Sequence, residues 1–449
     1  MIRFEIGRAA TIAEGRLHLP AGVSDAGAFV GMTQDSRVLK PGNLYCALLG
    51  DRVDGHRFVV DAADAQAAAA LVSRVVDAPI AQIVVDDVVR AMGRLAGAWR
   101  DAMNVRVVAV TGSNGKTTVK TMLASIMRRC APTLATRGNY NNEIGVPLTL
   151  AALGEQHRYA VIEMGCGKPG DIEYLAHMAR PEVGVVTNAG PAHLERLGSI
   201  DGVARTKGEL FAALRADGVA VINRDDDYFE YWRGLCTESR QLSFGRSARA
   251  DVRLEGDTQV VTPAGVFALA LALPGEHNRM NALAATAAAV ALGMRNDDIA
   301  SGLAAVDSLP GRLSERRMGG GWRLIDDSYN ANPASLYAGL QVLAARPGQR
   351  WLALGDMAEL GEASDKLHRE IGRAAHDLGI ERLFAIGAHA ESVADAFGAG
   401  GEAFNDMDAM ARRLQDLLEP DVTCLVKGSR SAHMEQLIDR LRSAEVTPC

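Results

Sequence analysis

The chain lacks paired cysteine motifs, long apolar runs and any excess of positive charge, and each absence closes off a class of protein. Its six cysteines, Cys46, Cys130, Cys166, Cys236, Cys424 and Cys449, are scattered with no CxxC pair. Reduced, unpaired thiols are expected rather than a disulfide frame or a zinc site. The stretch MIRFEIGRAATIAEGRL is interrupted by charge every few residues and has no apolar core of a secretory signal. No apolar run approaches the roughly 18 residues that span a bilayer. A formal net charge of -7 argues against broad binding to nucleic acid or anionic membrane. A cytoplasmic protein with no nucleic-acid partner and no membrane insertion is expected, and any anion site must be a local cationic pocket. Internal repeats and low-complexity linkers are missing too, so domain boundaries rest on changes of pattern.

With 449 residues, 48% hydrophobic and 23% charged, the chain is too long for one core and fully able to bury several. The patterns predict an α/β protein of three domains: a small N-terminal α/β domain over 1–103, a central ATPase-like parallel sheet over 104–311, and a C-terminal Rossmann-like domain over 312–449. In the first, turn signals at Lys40 to Asn43 and Gly50 to Gly55 surround short apolar runs, and the alanine-rich stretch Asp61 to Leu71 reads as a helix. In the second, buried strands at Arg106 to Val110, Tyr159 to Ile162, Val183 to Thr187 and Val219 to Ile222 are separated by stretches long enough for crossover helices. Residues Asp251 to Leu273 look like appended hairpins. In the third, strands at Arg323 to Ile325, Trp351 to Leu354, Leu383 to Ile386 and Thr423 to Val426 alternate with helical segments.

The strongest chemical signal is Gly112, Ser113, Asn114, Gly115, Lys116, Thr117 and Thr118, set between a strand and a helix. Small residues let backbone N–H groups close round phosphate oxygens at a helix N-terminus, while Lys116 neutralises phosphate charge and the Thr117 hydroxyl faces magnesium. Val110 stands where the first glycine of the ordinary motif would be, which makes this a variant loop. Glu163 follows the apolar strand YAVI, at the edge where open α/β sheets bind ligands; it reads as a magnesium ligand or an ordinary surface glutamate. His193 reads as a metal ligand or a hydrogen-bonded loop histidine. Lys207, by composition, reads as a solvated helical lysine. Polar clusters at His277 to Asn281, Gly311 to Arg317, Asp326 to Pro333 and Lys427 to Arg430 read equally as caps or as ligand contacts, with Arg312 and Lys427 available to an ATP site between domains.

Taken in order, TQDSR and GDRVDGH, TGSNGKTTVK, GNYNNEIGVPLTL, AHLERLGS, DDSYNANP, LGDMAELG and VKGSRSAHME resemble the Mur ligase superfamily over nearly the whole chain. Within it the SYNANP and KGSRSAHME segments favour the type that adds D-alanyl-D-alanine to UDP-N-acetylmuramoyl tripeptide, over the sister ligase that adds the third residue and over folylpolyglutamate synthetases. The resemblance implies ATP and magnesium as cofactors, an acyl-phosphate intermediate, and a monomer acting on those two small molecules. It also implies that Lys207 is carbamylated and binds one magnesium with His193, while Thr117 and Glu163 hold another. Asn278 and Asn281 would approach the adenine, Asp327 the ribose and Arg312 the phosphates. Ser36 and Arg37 match the uridine-nucleotide region, and Asn139, Asn141 and Asn142 the muramoyl-peptide region. Asn330, Asn332, Lys427, Ser429 and Arg430 would lie near the acceptor dipeptide or the closing domain. The segment GCGKPGD fits the pattern loosely, and Thr206 stands where an alanine is usual. Outside the family, a regulatory P-loop ATPase that hydrolyses ATP without joining substrates is the competing reading.

Overall fold

The computed structural model of the chain describes residues 1–50, 53–192, 194–307 and 309–443. Among the described residues, four sheets organise it. The largest has nine strands, in the order Gly265–Ala268, Gln259–Thr262, Val252–Glu255, Arg240–Gly245, Val219–Asn223, Val183–Val186, Arg106–Thr111, Tyr159–Glu163, Thr133–Ala135. Seven of these run parallel, and only the last two joined, Gln259–Thr262 and Gly265–Ala268, form an antiparallel meander at one edge.

The middle strand Arg106–Thr111 shows why. Its residues are almost all buried, with Val108 and Val110 packing to one face against Leu123, Ile126 and Leu283 and with Val107 and Ala109 packing to the other against Leu175 and Val203. A strand covered on both faces needs a continuous apolar run and helices on either side, which is the parallel α/β arrangement. The register pairs Val110 with Glu163 and Thr111 with Val186, so the phosphate loop, Glu163 and the segment beginning at Thr187 leave the same edge of the sheet.

N-terminal to this lie a two-stranded ribbon, Arg3–Glu5 with Ala28–Val30, and a five-stranded sheet in the order Arg16–His18, Gln82–Val84, Ala69–Val72, Leu44–Cys46, Met32–Thr33. Here the alanine-rich stretch departs from expectation. Its helix is only Val59–Asp64; the chain reverses at Gln66, with φ 61°, and Ala69–Val72 is an interior strand. Ala69 and Leu71 pack on one face of that sheet and Ala70 and Val72 on the other, so two-sided burial overrides helical propensity.

C-terminal to the large sheet is a six-stranded one: Ser314–Arg317, Arg323–Asp327, Val422–Lys427, Gln349–Gly355, Arg382–Ile386, Gly401–Phe404. It is parallel apart from its first strand, as a Rossmann-like unit with an antiparallel edge should be. Among the described residues no helix is long and apolar enough to cross a membrane.

Candidate active site

The phosphate loop is shaped by two glycines. Gly112 has φ 145°, and a Cβ there would stand 1.8 Å from Thr187 Oγ1; Gly115 has φ 83°, and a Cβ would stand 2.1 Å from Asn281 Oδ1. A side chain at either position is strained by the positive φ and forces Thr187 or Asn281 away from the loop. Helix Lys116–Cys130 starts at once behind it. The segment 187–190 clamps the loop from the side: Asn114 N donates to Asn188 Oδ1 (3.0 Å), Thr187 Oγ1 donates to Asn114 O (2.6 Å), and Ser113 Oγ donates to Gly190 O (3.0 Å). The Lys116 ammonium donates to Gly112 O at 2.7 Å. Burial, then the nearby Lys207, pulls its pKa down to about 8, so it stays largely charged at neutral pH.

Behind this loop lies a charged floor. Glu163 is 2% exposed, so the surface-glutamate reading fails. Its Oε1 accepts from Asn141 Nδ2 at 2.8 Å, and its Oε2 stands 3.2 Å from Lys120 Nζ. That second contact is an ion pair without hydrogen-bond alignment, and Oε2 has no donor of its own. Burial pushes the Glu163 carboxyl up, but Lys120, Lys116 and Asn141 outweigh it and hold the group below its ordinary value. Lys207 is equally far from the solvated lysine its surroundings suggested: it is 1% exposed, and its ammonium contacts Cys166 Sγ at 3.8 Å. Burial lowers its pKa, favouring a neutral amine more than in water. Thr206 is accommodated by donating from Oγ1 to Gly202 O within the same helix, Ile200–Ala212. His193 lies outside the described residues.

The third domain reaches the loop directly. Arg312 stacks over Tyr329, 4.3 Å from its ring centre, and donates from Nη2 to Thr117 Oγ1 at 2.9 Å. Asn332 Nδ2 donates to Asn114 Oδ1 at 2.8 Å. Asp327 is held in a short ion pair with Lys427, whose Nζ also donates to Asn330 O at 3.0 Å. Burial keeps the Asp327 carboxyl above the usual carboxylate range against the pull of Lys427. Asn278 and Asn281 bond to each other on helix Glu276–Ala291, with Asn281 set against Gly115.

The phosphate loop, Glu163, Asn278, Asn281, Arg312, Asp327, Asn332 and Lys427 line one cleft of about 1510 Å³, larger than the roughly 300–1,000 Å³ of a pocket for a single small ligand; Lys120 and Lys207 are buried behind its wall. Asn139, Asn141, Asn142, Asn330 and Arg430 also face it. Ser36, Arg37 and Ser429 do not: Arg37 is exposed and paired with Asp35 at 2.7 Å, while Ser429 is buried with its N–H on Asp356 O. Three contributors carried no role in the sequence reading: Arg90 from the first domain, Lys120 behind Glu163, and Asn188; His277, from the cluster read as a cap or a ligand contact, faces the cleft. Only Lys120 left a trace, one helical turn after Lys116 and so directed to the same side.

Profiles of three protein-family domains match the chain: the Mur ligase family catalytic domain over residues 28–111, the Mur ligase middle domain over 110–289, and the Mur ligase glutamate ligase domain over 311–430. The UDP-N-acetylmuramoyl-tripeptide--D-alanyl-D-alanine ligase of Escherichia coli K12 is 42% identical over 422 residues, covering 92% of this chain and 93% of its own. A crystal structure of MurF from Acinetobacter baumannii superposes with a TM-score of 0.92 at 35% identity, covering 98% of this chain and 99% of the other. The MurF ligase of Thermotoga maritima in complex with ADP gives 0.83 at 26% identity, covering 93% and 98%. On residues, fold and relatives alike, the chain belongs to the Mur ligase family.

Proposed function

We propose that the chain joins D-alanyl-D-alanine to UDP-N-acetylmuramoyl tripeptide at the expense of ATP. The observation that carries this reading is a phosphate loop that two domains share, with Lys116 half-buried in it and Lys207 and Glu163 buried behind it. A bare ATPase needs the loop; it does not need a third domain's Arg312 and Asn332 placed over it, nor a cleft with room for a second substrate. In the proposed division, 1–103 binds the nucleotide sugar, 104–311 binds ATP, and 312–449 closes over both.

The tripeptide's terminal carboxylate attacks the γ-phosphorus, ADP leaves, and an acyl phosphate forms. The amine of the dipeptide then adds to that carbonyl, and collapse expels phosphate and leaves the amide. Lys116, charged and half-buried at the loop, offsets the negative charge that builds on the transferring oxygens in an enclosed cleft where such an interaction is strong. Arg312 stands beside Thr117 to do the same from the third domain. Enclosure between domains keeps water from the acyl phosphate.

Magnesium fits the donor set. A hard cation takes a carboxylate, a hydroxyl and phosphate oxygens, and Glu163 Oε2 is a buried carboxylate oxygen with no hydrogen-bond donor, on the loop side that carries Thr117. When bound it would polarise the phosphoryl oxygens. The lowered pKa of Lys207 suits reaction with carbon dioxide, and as a carbamate it would serve with His193 as a second set of ligands. We read the protein as a cytoplasmic monomer; its thiols Cys46, Cys130, Cys166, Cys236 and Cys424 are all free.

The test is phosphate release with ATP, magnesium and UDP-N-acetylmuramoyl tripeptide, with and without D-alanyl-D-alanine, and product by mass spectrometry. Release that needs both substrates and yields a product heavier by the dipeptide supports the reading. Release indifferent to the dipeptide overturns it in favour of a sister ligase or a simple ATPase.

A further inference from the structure

Asn332 has a side chain whose polar atoms are both engaged. Its Oδ1 accepts from Ser335 N at 2.9 Å and its own N–H donates to Ser335 Oγ at 3.1 Å, a reciprocal cap on helix Pro333–Ala344. The amide end, Nδ2, donates across the domain boundary to Asn114 Oδ1 at 2.8 Å. Asn114 is fixed in turn: its backbone N–H and C=O are taken by Asn188 and Thr187, which leaves its side chain to meet the third domain.

We infer that Asn332 is a positioning residue that latches the third domain onto the phosphate loop through Asn114, and is not a contact to the acceptor dipeptide. Each end of the latch is rigid for its own reason, the helix cap on one side and the clamped loop on the other. The pair therefore forms only when the third domain is seated and the loop holds this conformation, which couples nucleotide placement to closure. Arg312 on Thr117 is a second contact of the same kind, but it carries a charge that phosphates would also attract. The Asn pair is neutral and is spared that competition.

The inference rests on the proposed ligase reaction, and a double-mutant cycle separates the two. Asn332→Asp and Asn332→Ser each keep a capping oxygen for the helix and lack the amide donor. Asn114→Ala removes the acceptor and leaves the backbone bonds. For one neutral hydrogen bond, each single variant should lose about fivefold to tenfold in ligation kcat. The double variant should lose no more than either single one. The same cycle, read as fluorescence transfer between labels on the second and third domains with ADP bound, should show the same non-additive loss of the closed distance, and that readout needs no ligation. If the losses multiply, or if Asn332→Asp and Asn332→Ser raise only the dipeptide KM, Asn332 is a substrate contact and the latch is wrong. If the unsubstituted chain does not ligate, the proposed reaction fails, and the distance cycle still decides the latch.

Discussion

A carboxylate buried at the floor of a cleft depends on its counter-charges more than they depend on it. Glu163 and Lys120 have side chains 3% and 7% exposed. Removing one partner of such a pair leaves the other charged and dry, a cost of roughly 3–5 kcal/mol where nothing else compensates. Lys116 and Asn141 do compensate in part, so Lys120→Met should cost about 2–3 kcal/mol by urea unfolding at pH 7. An unchanged midpoint would mean those two carry Glu163 alone. His277 gives a prediction in pH. Burial first, and Lys427 second, lower its pKa from 6.5 to about 4. Between those values the unfolded chain binds a proton that the folded one refuses, so stability falls as the pH drops from 6.5 towards 4, by at most about 3 kcal/mol. His277→Asn should flatten that part of the stability curve; a slope unchanged by the substitution would assign it to other groups. The phosphate loop was legible because its chemistry dictates its residues. Lys207 was legible only through the family resemblance: by composition a buried lysine and a solvated one are written alike, and the burial of this one is decided by the helices packed round it.

At the scale of elements, helix Lys116–Cys130 carries the loop at its start and is gripped along its length by Asn296–Ala304. The grip is close at Gly302, where a Cβ would meet the Ile126 Cα at 2.5 Å, and Ser125 Oγ donates to Gly302 O at 2.7 Å. Gly302→Ala has nowhere to put its methyl except by pushing backbone from backbone. A loss of about 1–3 kcal/mol is expected, the usual cost of overpacking. Since the displaced helix begins at Lys116, a weaker affinity for a non-hydrolysable ATP analogue should accompany it, and calorimetry would detect both. Loss of stability with unchanged nucleotide affinity would show that the helix start moves independently of its middle. Strands such as Arg106–Thr111 were readable because two-sided burial demands an unbroken apolar run. Ala69–Val72 was not, because alanine suits a helix and a crowded interior strand equally, and the neighbours that decide are distant in sequence: Leu44–Cys46 and Gln82–Val84.

In the whole molecule, the ligands should make two domains behave as one. The phosphate loop belongs to the nine-stranded sheet, while Arg312, Asp327 and Asn332 belong to the first strands of the six-stranded one and their flanks, and side-chain hydrogen bonds from Arg312 to Thr117 and from Asn332 to Asn114 already cross between them. A ligand bound to that shared surface stabilises whatever it touches by RT ln(1 + [L]/Kd), about 2.7 kcal/mol at a hundredfold excess over Kd. If ATP touches both sides, a non-hydrolysable analogue should slow amide hydrogen exchange together in residues 112–118 and 311–332. The increase in opening free energy should be similar in the two segments and should approach that figure where exchange requires release of the ligand. The strands of the first domain, with Leu44–Cys46 as the reference, should be unchanged by nucleotide alone, since Arg37 and its neighbours stand outside the cleft. Protection confined to 112–118 would mean that the third domain rests on the loop without sharing its ligand. The cleft would then be closed by the second substrate rather than by ATP.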